Sequence, residues 1–78
     1  MDIKRGIAPN RIQDFLGGKL SVDLKNHHKI IGTLTFYHLT EQMIHMVDWV
    51  EYADGEVVRK GSYMVINRTA WYQLYKED

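Results

Sequence analysis

Two neighbouring stretches with a two-residue repeat constrain this chain most. In KLSVDLK, Leu20, Val22 and Leu24 share one face, and Lys19, Ser21, Asp23 and Lys25 share the other. Side chains alternate across a strand, so this spacing predicts a strand with one face buried. In KIIGTLTFY, Ile30, Gly32, Leu34 and Phe36 fall on one face, and Ile31, Thr33, Thr35 and Tyr37 on the other. Both faces carry β-branched or aromatic residues, which predicts a strand covered on both sides. Gly32 stands at an inward position, where a missing side chain permits a sharp bend or close approach by another backbone. A β-sheet that bends at a glycine curls toward a small barrel.

The rest of the chain supplies the other elements. Pro9 suits the first turn of a helix, where its missing N–H costs nothing. Ile12, Phe15 and Leu16 recur at helical spacing, Arg11, Gln13 and Asp14 face water, and Gly17-Gly18 ends the run. A helix of about two turns is not stable alone, so its apolar stripe must lie on the sheet. Asn26-His27-His28 reads as a turn. MIHMVDWVEY reads as a third strand of open register: Met43, His45, Val47 and Trp49 fit one face and Ile44 and Met46 the other, unless a bulge shifts the alternation. Asp54-Gly55 signals a hairpin. EVVRKGSYMVI follows, with Gly61 as a second bend, and AWYQLY closes the series after the turn Asn67-Arg68-Thr69. The predicted architecture is mainly β: a short helix at about 9–16, then strands at about 19–25, 29–37, 43–52, 56–66 and 70–75 in one strongly bent antiparallel sheet, an open barrel of the SH3 type, all in a single domain.

Length and composition say what such a barrel needs. A chain of 78 residues buries only about 60% of its unfolded surface and ordinarily needs disulfides, metal or partner subunits. There is no cysteine, which excludes disulfides and thiolate metal sites and leaves oligomerisation, together with unusually good packing, as the common device. An open barrel also has two unpaired edge strands. Mating the fourth strand of one copy with the fifth of the next removes them, and Tyr63, Val65, Trp71, Tyr72 and Leu74 are the expected subunit-interface residues. If the rotation closes, the product is a ring.

Ten Lys and Arg balance ten Asp and Glu, which argues against retention on nucleic acid by bulk positive charge. Symmetry can still repeat a few cations around a ring. No apolar run reaches membrane-spanning length, and the N-terminal MDIKRGIAPN lacks a signal-peptide core, so a cytoplasmic protein is expected. No Ser/His/Asp arrangement or phosphate-cradling loop is present. Asp48, Glu51, Asp54 and Glu56 crowd one hairpin, where carboxylates are most often solvated. His27 and His28 read as solvated turn residues, with phosphate contact and adventitious metal binding the other readings, and His45 as a hydrogen-bonded, partly buried histidine. No catalytic residue, metal ligand set or cofactor is expected.

LSVDLKN, KIIGTL and DWVEY, followed by YMVINR and AWYQL, resemble the two sequence motifs of the Sm/Lsm/Hfq family over nearly the whole chain. The resemblance implies a helix capping a five-stranded bent sheet, rings built by pairing strands four and five, and non-catalytic binding of single-stranded RNA around the pore, as an RNA chaperone or RNA-processing scaffold. Counted from GTL, the family's base pocket falls on His38, Thr40 and Gln42. Tyr37 or His38 would supply a stacking ring and Gln42 an amide. Asn67 and Arg68 stand where the second motif lines the pore, and an Arg ring would build positive potential there. Lys4, Arg5 and Arg11 would offer phosphate contacts on the helix face. The family's pocket Asp is absent here and its Arg is displaced by one position. Together with the zero net charge, this supports the alternative of a structural or protein-interaction ring that binds no RNA.

Overall fold

The computed structural model describes residues 6–77, so Lys4 and Arg5 lie outside the described residues. A 3-10 helix, Pro9–Phe15, precedes β1 (Lys19–Leu24), β2 (Lys29–His38), β3 (Met43–Ala53), β4 (Glu56–Ile66) and β5 (Trp71–Lys76). The strands form one antiparallel sheet in the order β4-β3-β2-β1-β5. The mainly β fold with a short N-terminal helix is the predicted one. The sheet does not close: β4 and β5 are its two edges.

The helix has the 3-10 form, and that decides which residues it buries. Three residues per turn stack Ile12 directly under Phe15. Ile12 is fully buried and Phe15 packs against the core, while Leu16, expected in the apolar stripe, ends the helix and stays exposed. The helix end is fastened to the middle of β2 by Gly17 N–H to Leu34 O (2.8 Å) and Leu34 N–H to Gly18 O (3.0 Å). The chain can turn there because Gly17 takes φ +83°, a left-handed angle natural to glycine.

Gly32 and Gly61 bracket one large side chain. A Cβ on Gly32 would stand 3.0 Å from Trp49 Cβ and 3.2 Å from Val47 O, and one on Gly61 would stand 2.8 Å from the Trp49 indole. Gly61 is the direct cross-strand partner of Trp49. Gly32 therefore admits the β3 backbone, and Gly61 gives the indole room to lie across β4. Trp49, whose position the sequence leaves open, is buried in the core.

Two bulges between β2 and β3 reset the alternation of those strands. Between the pairs Ile31↔Val50 and Thr33↔Val47, β3 carries one residue more than β2, with Asp48 at φ +50°. An extra residue flips which face follows. Hence Ile44 and Met46 point inward before the bulge and Trp49 and Glu51 after it. The second lies between Leu34↔Met46 and Phe36↔His45, where β2 carries the extra residue. It reverses the expected faces at the end of β2: Tyr37 is inside and Phe36 outside. The core is then Leu20, Val22, Ile30, Leu34, Ile44 and Leu74 around Tyr37, Trp49 and Trp71, capped by Ile12.

Candidate nucleic-acid interface

The β2–β3 loop and the β4–β5 turn meet at Trp71. The loop is closed by Gln42 N–H to His38 O (2.6 Å), with Gln42 at φ +55°. That angle aims the Gln42 carbonyl at the core, where it accepts the indole N–H of Trp71 at 2.9 Å. The β4–β5 turn is closed by Ala70 N–H to Asn67 O (2.9 Å). Arg68 reaches back from it, donates from Nη1 to Trp71 O (2.5 Å), and lays its guanidinium carbon 4.4 Å from the Trp71 ring centroid. One face of the guanidinium thus rests on an indole, and the residue remains exposed. A planar cation with one face supported and the other toward solvent is suited to stack on a base or to donate to a phosphate.

Tyr37, Gln42 and Arg68 are brought to this junction, but Tyr37 does not offer a stacking surface. Its ring is 1% exposed and belongs to the core, because the β2 bulge turns it inward. Burial raises its phenol pKa, partly offset by the positive charge of Arg68, so the hydroxyl stays protonated. It has no protein hydrogen-bond partner among the described residues. His38 parts from the group too. Its ring lies on the outer face, edge-on to Phe36 at 4.7 Å. Asn67 is exposed at the turn, and the Gln42 side chain is half-buried.

The expected interface residues also divide. Tyr63 (55% exposed), Val65 and Tyr72 (51%) stand exposed on the two edge strands. Trp71 (2% exposed) and Leu74 are core residues whose backbones alone lie at the edge. Trp71 and Leu74, three residues apart, share the inner face of β5 because β5 carries an extra residue opposite the Asp23/Leu24 step of β1. Exposed Phe36, Val57 and Val58 were not among the residues read as interface, although Phe36 becomes legible once the bulge is known.

A third constellation was hidden in the sequence. Glu51, read there as a solvated hairpin carboxylate, is 4% exposed. His28 Nδ1 lies 2.6 Å from Oε2, and Arg59 donates to Oε1 from Nη2 (2.6 Å) and Nε (3.0 Å). Burial alone would raise the Glu51 pKa. The hydrogen bonds from His28 and Arg59 and their charges outweigh it, and the carboxyl is held below its ordinary range. His28 is therefore no free turn residue: it ties the β1–β2 turn to β3, while Arg59 ties β4 to the same carboxylate. His27 stays exposed at φ +72°.

Among the described residues no group of three or more His, Cys, Asp or Glu side chains is placed to hold a metal ion, and no helix is long and apolar enough to cross a membrane.

No protein-family model matches the chain, and no curated protein does. Solved structures do. An Sm protein of Pyrococcus abyssii, solved in complex with a uridine heptamer, is 24% identical over 87% of this chain and 94% of its own, with a TM-score of 0.81. A heptameric archaeal Sm protein is 25% identical over 88% of this chain and 98% of its own, with a TM-score of 0.77. A chain of the NatC complex bound to CoA is 18% identical over 99% of this chain and 90% of its own, with a TM-score of 0.75. The short helix, the bent five-stranded antiparallel sheet and its two open edges together make this an Sm-like fold.

Proposed function

We propose that this protein forms a cytoplasmic homo-oligomeric ring, mating β4 of one copy with β5 of the next, and that the ring binds single-stranded RNA without catalysis, as an RNA chaperone or RNA-processing scaffold. The observation that carries the proposal is the strand order, which leaves β4 and β5 as unmated edges of one small sheet. β4 is exposed over nearly its whole length and bears Val57, Val58, Tyr63 and Val65 on its surface. Exposed apolar strand edges are an association hazard unless paired, and a rotation that closes pairs them all. Support comes from the archaeal Sm proteins of the same fold, one heptameric and one solved with a uridine heptamer.

In such a ring the β2–β3 loop and the β4–β5 turn recur once per copy. Arg68 and Gln42 supply the contacts, Arg68 through its open guanidinium face and Gln42 through an amide that can both donate and accept. Asn67 flanks them. Light scattering on the purified protein gives the assembled mass, and the A260/A280 ratio reports bound nucleic acid. Binding of short U-, A- and mixed-sequence RNA should fall steeply with salt, in proportion to the phosphates neutralised.

A second reading has its own support. The chain of the NatC complex shows that this fold also serves inside a multiprotein assembly. A protein-interaction subunit would purify free of nucleic acid and bind none of the three RNAs at low salt.

A further inference from the structure

The indole of Trp71 fixes one loop of the candidate interface by its edge and the other by its face. Its N–H donates to Gln42 O at the end of the β2–β3 loop, at 2.9 Å. Its ring and its own carbonyl oxygen seat Arg68 of the β4–β5 turn. The Trp71 side chain is 2% exposed, so water cannot replace the indole bond. A carbonyl that loses such a donor is left unsatisfied in the interior.

What that bond holds is an unfavourable backbone. Gln42 takes φ +55°, a left-handed angle natural to glycine and disfavoured for a residue with a Cβ. Glutamine also lacks the short polar side chain by which asparagine eases it. Such conformations persist where their surroundings over-determine them, and they gather at functional positions. Two backbone bonds do so here. Gln42 N–H to His38 O closes the loop on itself, and Gln42 O to the Trp71 indole ties it to the core. A glycine at 42 would make the same turn without strain. The part of the residue that the turn does not need is its amide, on a side chain half-buried at this junction.

We propose that Trp71 is the positioning residue for base selection: its indole N–H holds Gln42 in the left-handed turn, and that turn aims the Gln42 amide at the edge of an RNA base. The inference rests on the RNA-binding reading above and names which of its contacts chooses the base. Arg68 answers to phosphate charge and to the face of any base, since every base has one. An amide sets a donor and an acceptor side by side, and only some base edges complement it. The two contacts are therefore separable through one residue. In Trp71→Phe a ring remains under the guanidinium and the main-chain carbonyl still accepts from it. Gln42 O, however, loses its donor, and the loop is free to leave the left-handed angle.

Binding of short U-, A- and mixed-sequence RNA across a salt series tests this, with light scattering and far-UV circular dichroism to show that ring and fold persist. The wild type should prefer one of the three. In Trp71→Phe that preference should shrink by about fivefold, one hydrogen bond's worth, with the salt slope unchanged. If Trp71→Phe fails to fold or assemble, Trp71→benzothienylalanine keeps the indole's shape without its N–H and carries the same expectation. Gln42→Gly, relieved of the backbone strain, should stay folded and lose the same preference. A preference that survives in either variant, a salt slope that falls in the Trp71 variant, or a wild type that binds all three RNAs alike overturns the inference and leaves the RNA-binding ring standing. A wild type that binds none of the three at low salt overturns both.

Discussion

Each of three residues in this fold is used in a way that makes its replacement informative. Gly32 is the first. An added methyl would press on Trp49 Cα at 3.1 Å and on the Val47 carbonyl at 3.2 Å, backbone atoms of β3 that a side-chain rotation cannot move. Gly32→Ala should therefore cost about 1–3 kcal/mol as overpacking, read as a melting temperature lower by roughly 4–8 °C per kcal/mol for a domain this small. Glu51 is the second. Its carboxyl titrates lower in the fold than its ordinary value of 4.5, so the folded state prefers it ionised. The stabilisation is present above that ordinary value and is lost as pH falls through the depressed one. Denaturant melts should thus show stability declining below about pH 4.5, and Glu51→Gln should flatten that limb. An unflattened limb would mean that another carboxyl dominates acid unfolding. Arg68 is the third, and its two roles are separable. Arg68→Ala removes a cation and should lower RNA affinity with a salt slope reduced by about one, whereas Arg68→Lys keeps the charge but gives up the planar seat on Trp71.

The strands and the turns were legible for different reasons than the faces. Regular alternation in KLSVDLK, the inward Gly32 and the Asp54-Gly55 hairpin are local signals, and local signals carry strand, bend and turn. A bulge is not local. Nothing in TLTFYH or MVDWVE announces an extra residue, because it exists only relative to the partner strand. That is why Tyr37 and Phe36 exchange faces, and why Glu51 is found inside, paired to a histidine 23 residues away. The candidate site was half legible for the same cause: the turn at Asn67-Arg68 was placed by its residues, while the partner of Arg68 was not, since no pattern shows that Trp71 lies beneath it. The distinction changes what mutants of β5 and β4 should do. Trp71→Ala empties a core position and should cost about 3–5 kcal/mol, seen as loss of fold as well as of assembly. Tyr63→Asp, on the exposed edge, should leave circular dichroism unchanged and abolish the ring in light scattering. A folded, monomeric Trp71→Ala would return that side chain to the interface.

For the molecule as a whole, neutrality and association are compatible because charge and edge are separate. Ten cations and ten anions give one copy no net charge. A ring would set one Arg68 per copy close to a shared axis, and clustering, rather than total charge, then governs attraction for a phosphate chain. The two tryptophans give this arrangement a built-in optical gauge. Both indoles are shielded from water, and one of them carries the Arg68 guanidinium 4.4 Å from its ring centre. Anything that draws that guanidinium toward itself uncovers the indole, so occupancy of the loops becomes visible as a change in emission, without label or tag.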